Sequence, residues 1–293
     1  LKITNNFGVP APLVALAQRN NYTKGKAQYS VTELIGSPRV HRLREKHKEN
    51  LEQDVSDMIW SMMGSALHVV AENSKLPGHM TEERLLYTID GTVISGAIDL
   101  QIIDGDTVDI VDYKFTSAWS LRADKVEWHQ QQNIYAFLVE KVKKAKVRSI
   151  SICALIRDWS RRDAANKADY PPAPIQMLSL PLWEIEDTEK FIKERIQAHK
   201  MSKVMADFFD DKDLPACSDE ERWIRGDKYA VMKEGRKTAV RVYDSIDEAN
   251  TLASTDPKLS VVFRKGEPIR CAGNFCGVAK WCSQYQNEIK ESE

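Results

Sequence analysis

With 293 residues, 42% of them hydrophobic and 29% charged, the chain has the make-up of an ordinary globular protein, long enough for one large α/β domain or two smaller ones. Lys and Arg (42) balance Asp and Glu (43), so no global charge draws the chain to a polyanion, and any such surface has to be local. No apolar run approaches the roughly 18 residues of a membrane span and no signal-peptide pattern is present, so no membrane association and a cytoplasmic location are expected.

In chain order, residues 1 to 29 are punctuated by Pro, Asn and Gly, with a short helix predicted over Leu13 to Arg19. Ser30-Val31-Thr32-Glu33 has capping-box spacing, in which the hydroxyl and the carboxylate each accept a backbone N–H at the start of a helix. Ser37-Pro38 interrupts that helix, and a second helical stretch runs through Arg39 to Lys48. Residues 1–53 thus form a helical and irregular N-terminal segment. From Asp54 to Asn73, Val55, Met58, Ile59, Met62, Met63, Ala66, Leu67 and Val70 recur at helical spacing. Gly64, His68 and Glu72 make a second stripe on the same helix, as expected of a helix beside a cleft. Two basic stretches, Arg39 to Lys48 and Lys141 to Arg148, are either local polyanion surfaces or solvated helix faces.

Glu82 to Asp90 reads as a strand, and Gly96 to Lys114 as two strands joined by a tight turn. Side chains alternate along a strand, so Asp99 shares a face with Ala97 and Gln101, and Asp112 shares one with Ile110 and Lys114. If Gly105-Asp106 is the two-residue loop, Asp104 pairs with Thr107 and Asp99 lies directly opposite Asp112. If the loop is Asp104-Gly105, the two aspartates are diagonal neighbours on one face. Carboxylates about 5 Å apart repel unless a positive charge sits between them. Lys114 is one candidate for that charge and a divalent cation is the other.

Trp119 to Lys125 reads as a loop, and Val126 to Lys141 as an amphipathic helix with Gln131 and Tyr135 stacked at i and i+4. Arg148 to Trp159 is a nearly continuous apolar strand, residues 160 to 174 a polar loop, Gln176 to Leu182 a strand and Trp183 to Phe209 a long helix. Beyond Cys217 a ββαβ pattern runs from Lys228 to Arg264, bracketed by Cys217 and Cys271. The cysteine count of five is odd, and Cys271, Cys276 and Cys282 crowd together, which favours a metal or cluster site over disulfides.

Four pieces therefore stand in order: Gly64-x-x-x-His68 on a helix, Gly96-x-x-Asp99 on a strand, Asp112-Tyr113-Lys114 on its partner and Gln131-x-x-x-Tyr135 on the next helix. That series resembles the PD-(D/E)XK nuclease superfamily, and within it the RecB-like, Cas4-like exonucleases, a build shared by phage recombination exonucleases. The resemblance implies an α/β (α+β) core of the restriction-endonuclease type over residues 54–210, a central mixed sheet flanked by helices, followed by a cysteine-rich region over residues 211–293 holding the small α/β insert. It implies that Asp99, Asp112, the Tyr113 carbonyl and His68 hold catalytic Mg²⁺ or Mn²⁺, that Lys114 orients the attacking water and steadies the phosphate, and that Gln131 and Tyr135 position the nucleic acid and the active-site groups.

The terminal cysteines resemble the iron–sulphur staple of the same group, which uses one early Cys-Pro and three late cysteines. Here Ser37-Pro38 stands at the early position, leaving Cys217, Cys271, Cys276 and Cys282 as the set. The resemblance implies a [4Fe–4S] cluster, and four cysteines also suit tetrahedral Zn²⁺. The implied activity is metal-dependent hydrolysis of DNA at ends, in recombination or end processing, with a single-strand-annealing recombinase or a helicase as partner. The host-cell cytoplasm is the implied location if the gene is a phage's. The alternatives are a Cas4-like or structure-specific endonuclease, or a catalytically idle DNA-end-binding module of the same fold.

Overall fold

Six strands carry the site: β1 (Tyr29–Ser30), β2 (His79–Ile89), β3 (Thr92–Asp104), β4 (Thr107–Thr116), β5 (Lys146–Ile156) and β6 (Ile175–Leu180). Around them lie α1 (Val31–Ile35), α2 (Pro38–Lys46), α3 (Val55–Asn73), α4 (Val126–Leu138) and α5 (Ile185–Phe208). The computed structural model describes residues 1–19, 23–74, 76–122, 125–208 and 210–292. The chain divides into two units, Leu1–Phe208 and Phe209–Glu293, and the first contains the six strands.

The sheet is mixed. β4 runs antiparallel to β3 and parallel to β5, while β6 is antiparallel to β5. Strand β2 covers one edge of β3 from Thr92 to Ile102. The other edge is divided: β1 pairs in parallel at Ile94 and Ser95, and β4 pairs from Leu100 to Asp104. Between these two partners, residues 96–99 of that edge have no strand alongside among the described residues.

Local sequence explains the elements that frame this gap. Ser30 caps α1, accepting the Glu33 N–H at 3.1 Å while Glu33 accepts the Ser30 N–H at 2.8 Å. Asp54 caps α3, taking the Ser56 N–H at 3.0 Å, and its pKa falls to about 2 because the Asn6 and Ser56 N–H groups donate to the charged form. Gly105 has φ +58°, as the first position of a type II′ loop requires, and Asp104 pairs with Thr107. The hairpin loop is therefore Gly105-Asp106. Ile94, Ile98, Val108, Ile110 and Ile150 of the sheet pack against Ile134 and Leu138 of α4 and Ile192 of α5, all essentially excluded from water.

Several boundaries move relative to the sequence reading. β2 starts at His79, β5 ends at Ile156, a short helix (Arg161–Asn166) interrupts the 160–174 loop, and α4 passes into a π-turn over Val139–Lys143. The basic stretches are partly spent on structure, with Arg44, Lys46, Lys48, Lys144 and Lys146 left exposed. Arg39 and Arg42 are buried, Lys143 donates to Glu83 and Gln101, and Arg148 pairs with Asp104 and Asp109.

In the second unit, Lys228–Lys233 is the central strand, with Arg241–Tyr243 and Leu259–Arg264 antiparallel on either side. The helix Ile246–Ala253 buries Ala249, and Ala230 and Val231 of the central strand are also buried.

Two glycines of the motif series differ in what surrounds them. A Cβ on Gly96 would meet Leu138 Cδ1 at 2.7 Å and the Tyr135 ring at 2.9 Å, so α4 can approach the sheet only where there is no side chain. A Cβ on Gly64 would meet only Phe115 Cβ, at an ordinary 3.9 Å. Gly96→Ala should therefore destabilise the protein by about 1–3 kcal/mol. Gly64→Ala should be neutral or stabilising by up to about 1 kcal/mol, since it removes a helix-interior glycine. Urea denaturation of the two variants beside the wild type measures both.

A candidate metal centre at a break in the sheet

Asp99 sits where β3 loses its partners on both sides. On the β4 side the ladder ends at Leu100–Val111, one residue short of the Asp99–Asp112 pair that the register brings next. On the β2 side, Thr81–Leu100 and Glu83–Ile98 are paired, but the intervening Glu82 takes φ +51° and leaves the ladder. Positive φ in a side-chain-bearing residue costs on the order of 1–3 kcal/mol and marks a functional position more often than a random one. The break turns the Glu82 carboxylate toward α3, where it lies 2.9 Å from His68 Nδ1.

His68 Nδ1 is also 3.5 Å from Asp99 Oδ1, and one ligand atom from each of His68, Glu82 and Asp99 can be chosen so that all three lie within 4.8 Å of one another. Asp99 Oδ2 accepts the Tyr113 N–H at 2.8 Å. The N–H and C=O of a residue in an extended strand leave on the same edge, so the Tyr113 carbonyl faces this gap as well. Next along β4, Lys114 Nζ lies 2.6 Å from Asp112 Oδ2 and donates to Gln131 Oε1 at 3.0 Å, and Gln131 Nε2 donates to the Tyr135 hydroxyl at 2.8 Å. The structure thus brings His68, Asp99, Asp112, Tyr113, Lys114, Gln131 and Tyr135 to one region of the first unit.

Glu82 is the residue that pattern reading missed. In the sequence it is an unremarked polar residue near the start of a strand, and its backbone conformation alone sets it apart. Its nearest sequence signal is the pair Glu82-Glu83 interrupting the β2 alternation.

Electrostatics mark the site as built for a cation. Burial pushes the Asp99 carboxyl up to about 7, with the neighbouring Asp112 charge adding to the shift. Burial also raises Asp112, against the opposing influence of Lys114. The hydrogen bond to Glu82 raises His68. Two buried carboxyls raised above the ordinary carboxylate range are a set whose negative charges Lys114 and His68 balance only in part. An ion of the Mg²⁺ type, about 2.1 Å from each oxygen, puts its ligands roughly 3–4 Å apart, so a donor set already within 4.8 Å fits with little rearrangement.

The second unit gathers the cysteines. Cys276 and Cys282 are buried, and the Cys271 thiol is pushed up by burial, with the nearby Cys276 and Cys282 adding to the effect. Cys217 is tied to the same segment by both its backbone groups, donating to Gln284 Oε1 at 2.8 Å and accepting from Gln284 Nε2 at 3.1 Å. Buried Arg222 reaches both Cys271 and Glu288.

The core is thus a mixed sheet split at paired carboxylates, with a lysine two residues beyond the second. The model of the PD-(D/E)XK nuclease superfamily matches residues 31–282, and the chain belongs to that superfamily. Its members use divalent metals. Among solved structures the chain is similar to SSO0001, with 18% identity and a TM-score of 0.44 over 63% of this chain and 83% of that one. It is also similar to the "Putative exonuclease" of Eubacterium rectale, with 11% identity and a TM-score of 0.26 over 56% of this chain and 58% of that one. No curated protein matches the sequence.

Because Asp99 is ionised only against burial and a neighbouring charge, Asp99→Asn should stabilise the metal-free protein at pH 8 by about 1 kcal/mol. The Asn carbonyl can still accept the Tyr113 N–H. The same change should abolish the rise in melting temperature that Mn²⁺ gives the wild type. Thermal melts with chelator and with Mn²⁺ read both effects.

Proposed function

We propose that this protein is a metal-dependent deoxyribonuclease that hydrolyses phosphodiester bonds at DNA ends, an exonuclease of recombination or end processing. The observation that carries the reading is the convergence of His68, Glu82 and Asp99 within 4.8 Å beside the Asp112–Lys114 pair. Phosphodiester hydrolysis needs a hydroxide delivered to an anionic phosphate and neutralisation of the charge that builds on its oxygens. Mg²⁺ or Mn²⁺, when bound, supplies an activated water and polarises a phosphoryl oxygen.

His68, Glu82 and Asp99 are the residues that would hold the ion, with Asp112 and the Tyr113 carbonyl completing an oxygen-rich set. An imidazole among carboxylates tilts the preference toward Mn²⁺. Lys114 presents an ammonium beside the position of the phosphate, stabilising charge as it develops and orienting water. Gln131 accepts from Lys114 and donates to Tyr135, which fixes the ammonium in direction. Buried Tyr135 anchors that relay in the core under α4.

Cys217, Cys271, Cys276 and Cys282 are the residues that would hold a [4Fe–4S] cluster, or Zn²⁺ in its place, and so stiffen the second unit. A DNA substrate, action at ends rather than within the strand, and a single-strand-annealing recombinase or helicase as partner belong to this reading. So does the division of the chain into residues 1–53, 54–210 and 211–293.

Linear duplex DNA incubated with Mg²⁺ or Mn²⁺ should shorten from its ends in the presence of the wild type. Asp112→Ala and Lys114→Ala should each lower the rate by at least about 100-fold, the scale of one transition-state contact worth roughly 3 kcal/mol. Equal rates in the three proteins would refute the assignment. Protein purified without oxygen should be brown and contain iron and acid-labile sulphide. Cys276→Ser should lose both and melt at lower temperature, whereas a colourless wild type with one equivalent of zinc would select the other metal.

A further inference from the structure

Tyr113 and Phe115 alternate with Asp112 and Lys114 along β4, so the two pairs look to opposite faces of the sheet. Lys114 reaches Gln131 on α4, whereas the Tyr113 ring lies 6.1 Å from His68 and the Phe115 ring 6.2 Å from Trp60, both on α3. Helix and strand therefore run side by side from the metal ligands to a second cluster, about 12 Å along the helix and about 7 Å along the strand. That distance is about two to four nucleotide steps at roughly 3.4 Å per stacked base.

The second cluster has an unusual make-up for a surface. Trp60 is 50% exposed, although tryptophan is a large apolar residue that normally covers itself. The Arg157 guanidinium lies 5.1 Å from the centre of the Trp60 ring. Among the described residues Arg157 makes no ion pair, and its exposed guanidinium lies against the Trp60 ring. Its position is fixed by its own backbone N–H, which donates to Thr116 O at 2.9 Å at the carboxyl ends of the parallel strands β4 and β5. The adjoining residue, Asp158, accepts the Ala118 N–H at 2.7 Å and holds the start of the turn that carries Trp119, 64% exposed.

We propose that Trp60, backed by Phe115 and Arg157, is a stacking platform for one unpaired base of the DNA strand being cut, so that the enzyme engages single-stranded ends or overhangs in preference to blunt duplex. The inference rests on the nuclease reading above. An indole face and a guanidinium together match the two parts of a nucleotide, the π-surface of its base and the charge of its phosphate. A base inside a duplex offers no free face to such a platform, so the strand has to be unpaired where it meets Trp60.

Binding of a fluorescent single-stranded oligonucleotide, with Ca²⁺ replacing Mg²⁺, tests this. In a series of oligonucleotides each carrying one abasic site, wild-type affinity should drop about 5- to 100-fold at one position, about two to four nucleotides from the scissile bond, and little elsewhere. Trp60→Ala should bind the intact oligonucleotide as weakly as the wild type binds that abasic one, and should be indifferent to the abasic site. Trp60→Phe should keep most of the affinity. Arg157→Gln should reduce the slope of log affinity against log salt by about one. A wild type that responds equally to every abasic position, or that binds blunt duplex as tightly as single strands, overturns the platform whether or not the Trp60 variants fold. If the wild type cleaves linear DNA in that case, the platform alone has failed. If it neither binds nor cleaves DNA, the nuclease reading has failed with it.

Discussion

The carboxylate of Asp99 takes the N–H of Tyr113 at the one point where β3 has released the backbone of both neighbouring strands. A buried N–H left without an acceptor costs on the order of 1–3 kcal/mol, so this side chain does what a strand would otherwise do. It closes the gap in the sheet and at the same time fixes a negative charge beside Asp112. At an effective dielectric of about 20, two charges about 5 Å apart repel by on the order of 3 kcal/mol. Lys114 offsets part of that for Asp112, and His68 part of it for Asp99. The rest is open to a cation, so the same hydrogen bond that completes the fold also prepares the site.

The flanking helices follow from that arrangement. Gly96 has no side chain because α4 must lie close enough for Tyr135 to pack on the sheet, and Tyr135 in turn accepts from the Gln131 that receives Lys114. On the other face, Glu82 leaves its ladder at the cost of a positive φ, and His68 meets it there. The strain at Glu82 and the unfavourable burial of Asp99 and Asp112 are therefore linked. Each is destabilising alone, and one divalent ion would relieve the electrostatic part of both. The site spends fold stability to hold an incomplete coordination shell.

Much of this was legible in the sequence because it depends on parity and short spacings. Either loop around Gly105 put Asp99 and Asp112 on one face, the structure chose the register that sets them opposite, and alternation put Lys114 beside Asp112. Capping-box and helical spacing placed Ser30, His68, Gln131 and Tyr135, while the Asp54 cap emerged only in the structure. Glu82 escaped because a positive φ at a glutamate has no sequence signature; it arises from competition between the ladder and the site. The basic stretches left two readings open for a related reason. Charge runs are visible in a sequence, but the partners that neutralise Lys143 and Arg148 come from Glu83, Asp104 and Asp109, far away along the chain. The cluster of Trp60, Phe115 and Arg157 was equally hidden, since its members are 42 or more positions apart and meet only through the packing of α3 on β4.

Those neutralised charges constrain how this unit can hold a polyanion. The chain as a whole is balanced, and Arg39, Arg42, Lys143 and Arg148 are committed to its interior or to acidic partners. A binding mode based on many phosphate contacts would need a row of free cations along one face. What lies along the face from His68 to Trp60 is instead a coordination site at one end and an arginine on an indole at the other. If Trp60 is the stacking platform proposed above, recognition through such a surface draws on coordination of one phosphate and stacking of one base, with few ion pairs between them. Stacking demands a base that can leave its helix, so under that proposal the choice of substrate turns on the Trp60 cluster rather than on the metal ligands.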